Sequence, residues 1–197
     1  MAIKMLLKTA YTYFFNWYNI VRFSHFGKGT FLGRRCTLNL SGDGVWIGDK
    51  VRLGEDARLS CYYVAGHTAS IVIKDGAYMG SHVSILTADS VVIEEGVLMA
   101  SYINILGENH SMDPESNVGY GGQELTTSPI IIKSGSWIGQ NVTLIANKKE
   151  GLSIGKKSIV GAGSVVISDI PDYCIAVGNP ARVIKKYNFE THKWERY

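Results

Sequence analysis

The sequence has little of what most simply announces a function. Its 197 residues hold three cysteines, Cys36, Cys61 and Cys174, far apart and without a CxxC pair. That spacing suggests neither a disulfide framework nor a thiolate metal site, and it fits a reducing, cytoplasmic setting. No Asp or Glu occurs before Asp43, whereas Lys4, Lys8, Arg22, Lys28, Arg34 and Arg35 do. The N-terminal end is therefore basic, although the formal net charge is only +3, and no nucleic-acid partner is expected. The opening stretch MAIKMLLKTAYTYFFNWYNIVRF is too short and too often interrupted by polar residues for a transmembrane span. It also lacks the small-residue cleavage site of a secretory signal.

What that stretch does have is periodicity. Ile3, Leu7, Ala10, Phe14, Trp17 and Val21 fall three or four apart with polar residues between them, which predicts an amphipathic helix over residues 1–24. Such a helix can cap a neighbouring structure or pack on a subunit. Alternatively residues 1–22 make a peripheral contact with an anionic membrane, lysines and aromatics at the headgroups. The rest of the chain, in a sequence 46% hydrophobic and 19% charged, has enough apolar material for one domain with its own core.

That domain repeats itself. An aliphatic or aromatic residue recurs every six positions in six triplets: Phe26, Leu32, Leu38; Ile47, Leu53, Leu59; Ile73, Met79, Ile85; Ile93, Met99, Ile105; Ile132, Ile138, Leu144; Ile154, Val160, Val166. A period of six fits neither a helix nor an indefinitely alternating strand. It fits a short strand and a turn, with one large side chain pointing inward on each of three faces, and glycines such as Gly33, Gly54 and Gly80 at the corners. The prediction is an all-β parallel solenoid over residues 25–184, with residues 185–197 as a tail that can fold over an open end. Successive triplets begin 21, 26, 20, 39 and 22 residues apart, so one coil carries a long insertion, residues 107–128. Its composition, GENHSMDPESNVGYGGQELTTS, predicts a protruding loop.

The runs SWIGQNVTLI and IGKKSIVGAGSVVISDIPDYCIAVGNPARVIKK resemble the hexapeptide-repeat acyltransferases, in particular the acetyl-coenzyme A dependent branch that acetylates maltose, galactosides and bacterial polysaccharides. The resemblance implies a left-handed parallel β-helix, usually trimeric, with acetyl-CoA as cosubstrate and a carbohydrate as acceptor. It implies that the catalytic loop histidine is His110, a general base suited to neutral pH, with Asp113 or Glu108 as the carboxylate that orients it, though a backbone carbonyl would serve as well. His82 and Asn109 are expected toward the acceptor, His82 having a corner position of the solenoid as its alternative. Where galactoside-acetylating relatives carry an asparagine, His82 stands, which leaves the sugar open. The pantetheine arm is expected along a groove between neighbouring solenoids against Gly139, Ala146, Gly161 and Ala162, with Arg182 and Lys185 toward the phosphates. Lys148–Gly151, KKEG, reads as a solvated turn with cofactor contact as the alternative. No metal is expected, because His110 lacks the companion histidines of a zinc site. The implied activity is direct O-acetylation of a sugar hydroxyl, and the basic, aromatic N-terminal end points to an acceptor assembled at the inner face of the membrane, a surface polysaccharide or its precursor. The alternatives are N-acylation of a nucleotide-linked amino sugar and a non-catalytic binding scaffold.

Overall fold

A computed structural model gives the architecture for residues 10, 22–40, 44–64 and 68–197. Apart from Ala10, which is helical, and the turn at residues 22–24, the helix expected over residues 1–24 lies outside the described residues, as does the membrane contact expected of residues 1–22.

The described chain winds through six coils of three short strands each, and the strands stack into three parallel sheets, the faces of a triangular prism. The six-residue columns meet in register. On the first face Phe26 pairs with Ile47, Ile47 with Ile73, Ile73 with Ile93, Ile93 with Ile132, and Ile132 with Ile154. Leu32, Leu53, Met79, Met99, Ile138 and Val160 form the second column. Leu38, Leu59, Ile85, Ile105, Leu144 and Val166 form the third. All but Phe26 are buried, and each stacked aliphatic side chain is worth about 1.5–3 kcal/mol of burial. The residue four places after an inward one sits at a corner, which explains why small or β-branched types recur there. Val51, Ala57, Ala77, Val83, Val97 and Val142 are all at most 1% exposed.

The corners also need backbone that turns through the left-handed region. One corner column comprises Gly29, Lys50, Gly76, Gly96, Gly135 and Lys157, and the next Arg35, Asp56, His82, Tyr102, Asn141 and Gly163, all at positive φ between 54° and 71°. The glycine that follows an inward residue has a different purpose. A Cβ on Gly54 would lie 2.4 Å from the carbonyl carbon of Gly80 in the next coil, so only glycine lets the coils approach.

Two departures from the sequence expectation matter. The insertion begins as strand rather than loop: Asn104–His110 runs off the third face and pairs antiparallel with Leu125–Thr127, forming a two-stranded ribbon. The tail is paired rather than loose. Ala181–Asn188 and Lys193–Arg196 form a hairpin that pairs antiparallel with Cys174–Gly178, prolonging the second face to nine strands. Strand edges prefer backbone partners, and both segments supply them.

The three edges of the prism differ. Between the first and second faces, and between the second and third, every one of the six coils turns in four residues. Between the third and first, the connections run from two residues, between Thr87 and Ser90, to nineteen, between His110 and Ile130. All variation in coil length is gathered on one edge.

Candidate active site

The ribbon stands on that variable edge. Gly107 begins it, and a Cβ there would lie 2.6 Å from Thr87 Oγ1 and 3.0 Å from the Ser128 carbonyl oxygen, so the crossing of the ribbon's base requires glycine. Glu108 is opposite Thr127, Asn109 opposite Thr126 and His110 opposite Leu125, and the Thr126 hydroxyl donates to the Asn109 carbonyl at 3.1 Å. Side chains alternate along a strand, so Glu108 and His110 share one side of the ribbon.

His110 is exposed, and its Nδ1 lies 3.4 Å from the carbonyl oxygen of Gln123. A carbonyl can only accept, so this contact favours the tautomer with the proton on Nδ1 and leaves the Nε2 lone pair free. Gln123 also organises the loop tip. Its carboxamide nitrogen donates to the carbonyls of Asp113 at 2.9 Å and Val118 at 3.3 Å, while its oxygen accepts from the Asp113 amide at 3.0 Å.

Neither carboxylate expected to orient His110 hydrogen-bonds its ring. Asp113 accepts from the amide of Glu115 at 2.9 Å and shapes the turn. Glu108 is half-buried, with Oε2 shielded and unbonded. Burial pushes its carboxyl above the ordinary range, while the charges of His110 and Arg58 pull the other way. Arg58 lies on the third face, its guanidinium donating to the Ser60 hydroxyl at 3.3 Å and the Tyr62 hydroxyl at 3.5 Å. Neither Gln123 nor Arg58 stands out in the sequence, because a backbone carbonyl leaves no trace in residue identity and the third-face pairing appears only once coils are stacked.

A cleft of about 860 Å³ opens beside the ribbon, lined among others by Asn109, His110, Thr126, Asn147, Lys148 and Lys149. The two lysines come from the connection between Ile145 and Leu152, one coil above the ribbon on the same edge. Thus the turn KKEG borders the cleft that contains the histidine.

The remaining candidates divide between two edges. His82 is a corner residue between the second and third faces, at φ 57°, its ring stacked on Tyr102 at 4.6 Å and its Nε2 3.8 Å from Asp56. Gly139, Gly161 and Ala162 occupy the same edge in higher coils, and a Cβ on Gly139 would come within 2.6 Å of the Ala162 amide nitrogen. Arg182 pairs with Val177, and Lys185 with Ile175, on the second face. Only Ala146, buried and donating its amide to Leu106, belongs to the edge of His110. The third face separates these edges, and in the coil of His110 its strand runs from Asn104 to His110, about 20 Å of extended chain. One chain therefore does not bring His110 together with His82 or with the Gly139 to Ala162 column. Among the described residues no three His, Cys, Asp or Glu side chains converge as a metal site would need.

This is a parallel β-solenoid with a histidine ribbon raised over a cleft on its one variable edge. Its architecture is that of the hexapeptide-repeat acyltransferases with a left-handed β-helix. The fold of AntD, an N-acyltransferase from Bacillus cereus solved with dTDP-4-amino-4,6-dideoxyglucose and coenzyme A, superposes with a TM-score of 0.73 at 19% identity, over 89% of this chain and 90% of that one. The hexapeptide-repeat acetyltransferase VCA0836 from Vibrio cholerae gives 0.58 at 24% identity over 86% and 77%. A galactoside acetyltransferase in complex with coenzyme A gives 0.52 at 27% identity over 82% and 66%. In sequence, the chain is 36% identical over 132 residues to WbbJ of Escherichia coli K12, whose name makes it a candidate lipopolysaccharide-biosynthesis O-acetyl transferase. That match takes in 64% of this chain and 65% of the relative's length. No known family profile matches the chain.

Proposed function

We propose that this protein transfers an acetyl group from acetyl-CoA to a hydroxyl of a sugar in a surface polysaccharide or its precursor. The observation that carries the reading is His110: an exposed imidazole, held at Nδ1 by a backbone carbonyl, bordering a cleft on a fold shared with coenzyme A-binding acyltransferases. Nε2 takes the hydroxyl proton as the sugar oxygen attacks the thioester carbonyl. The tetrahedral intermediate collapses with loss of the C–S bond, and the departing sulfur takes the proton back from the imidazolium. No covalent acyl-enzyme is needed. The name of the E. coli relative supports an O-linked product. The same reading puts the reaction on the cytoplasmic side, at the inner face of the membrane where such precursors are assembled.

The groove for the cofactor belongs, in this reading, to two copies within a trimer. Outward residues of the third face are mostly polar in its lower coils, Thr37, Arg58, Ser84 and Asn104. The first face turns outward Trp46, Val72, Val92 and Ile131, and the second Tyr78, Leu98 and Trp137, the last three 45, 42 and 49% exposed. Two apolar faces and one polar face suit a closed ring, first face against second. Such packing sets the His110 edge of one copy beside the Gly139, Gly161 and Ala162 edge of the next.

Replacing His110 by Ala should lower kcat by about 10² to 10⁴ with acetyl-CoA and an acceptor glycan, without loss of coenzyme A binding. A variant that keeps wild-type turnover overturns the assignment.

A further inference from the structure

The cleft beside His110 has a feature that acetyl transfer to a neutral sugar does not need. Lys148 and Lys149 are exposed on its rim, and neither forms an ion pair among the described residues. Their position is built. Ala146 donates to the Leu106 carbonyl at 3.0 Å, Gly151 donates to the Lys148 carbonyl at 2.8 Å, and Leu152 donates to the Pro129 carbonyl at 2.9 Å, so the turn is tied to the coil that carries the ribbon. Gly151, at φ 92°, closes it, and a Cβ there would strike the Pro129 carbonyl oxygen at 2.3 Å. The turn thus fixes the backbone that carries both lysines at the rim of the space that His110 borders.

The acids in the same cleft form no ion pair with them: Asp89 accepts from the Ser90 amide at 2.7 Å, and Glu124 precedes the ribbon's second strand. The pantetheine arm of coenzyme A separates its own phosphates from the thioester by many bonds. Cations that share a cleft with the base therefore face the acceptor side of the reaction.

Resting on the reading of His110 as the base, we propose that Lys148 and Lys149 form an anion subsite that selects an acceptor sugar carrying phosphate, as a sugar phosphate or a nucleoside- or lipid-linked diphosphate, over the neutral sugar. Two exposed lysines give a point-charge contact that is salt-sensitive and tolerant of geometry, which suits a phosphate or diphosphate more than a hydroxyl.

The test uses the full chain, with Lys148→Ala/Lys149→Ala made together and checked for an unchanged melting temperature. Calorimetric titrations with coenzyme A present compare glucose, glucose 1-phosphate, UDP-glucose and glucuronate. The expected result is that the wild type binds the phosphate-bearing probes better than glucose, and that the double variant loses about tenfold or more for those probes alone, as added salt also does. Glucuronate separates a general preference for anions from one for phosphate. The affinity of coenzyme A should stay within about twofold. Equal affinity of wild type and variant for the phosphate probes overturns the proposal, and so does a parallel loss for coenzyme A, which would give the lysines to the cofactor. Lysine-dependent phosphate binding without any acetyl transfer supports the subsite and counts against the transferase reading alone.

Discussion

At Glu108 two requirements conflict. Its place in the ribbon keeps the backbone paired with Thr127, yet its Oε2 is shielded from solvent and bonded to nothing. The folded protein binds the Glu108 proton more tightly than the unfolded chain does, because burial raises the carboxyl. The associated stability is fully present below the unfolded pKa and is lost as pH rises through the raised folded value. Glu108→Gln removes the charge at nearly constant shape. Because the carboxyl is half-buried and partly screened by solvent, the substitution should raise stability at about pH 8 by about 0.5 kcal/mol, or roughly 1–2 °C in Tm, with the gain disappearing near about pH 4, as thermal unfolding across pH would register. A variant no more stable at either pH would mean that the carboxylate is compensated. The sequence singles out His110 as a residue at which the repeat breaks, and it leaves the ring's partner open between Asp113, Glu108 and a backbone carbonyl. Asp113 and Glu108 are the conspicuous groups nearby, whereas the atom that meets Nδ1 is a main-chain oxygen thirteen residues downstream.

Among the elements, the coil was legible to the residue and the connections were not. Stacking needs one large side chain in each strand at a fixed place, so every triplet from Ile47 to Val166 is written in the sequence and paired in register. The ribbon and the C-terminal hairpin are held by main-chain pairing, which residue type records only weakly. The corner glycines show the same division between two roles. Gly76 has φ 67° and nothing within 4 Å of a Cβ, and its column accepts Lys50 and Lys157 in other coils. Gly54 has the next coil's backbone 2.4 Å from a Cβ. Gly76→Asn should therefore cost no more than about 1 kcal/mol, since Asn tolerates the left-handed region. Gly54→Ala forces two coils apart and should cost more than about 3 kcal/mol, at the upper end for overpacking. Chemical denaturation of the two variants measures both, and similar losses would show that the close approach relaxes without effort.

The molecule as a whole separates wall from site. Two edges turn in four residues throughout, and the third bears every longer connection, including the ribbon and the lysine turn. A prism so built has its candidate base on one edge and its glycine column on another, and neighbouring copies can join them where one chain cannot. The proposed ring makes a distinctive prediction. His110→Ala lacks the base, and Ala162→Trp, at an exposed corner, fills the groove without touching the core. Each alone should be inactive. If a site takes its histidine from one copy and its groove from the next, co-expression in equal amounts restores about a quarter of the sites, since each half is intact in half of the copies. If both halves came from one chain, no mixture of these variants could recover activity. Co-expressed protein that is shown by mass to contain mixed trimers, yet remains as inactive as its parents, would rule out the shared site. A mass of one chain would remove the ring itself and leave the exposed Tyr78, Leu98 and Trp137 stripe in need of another partner.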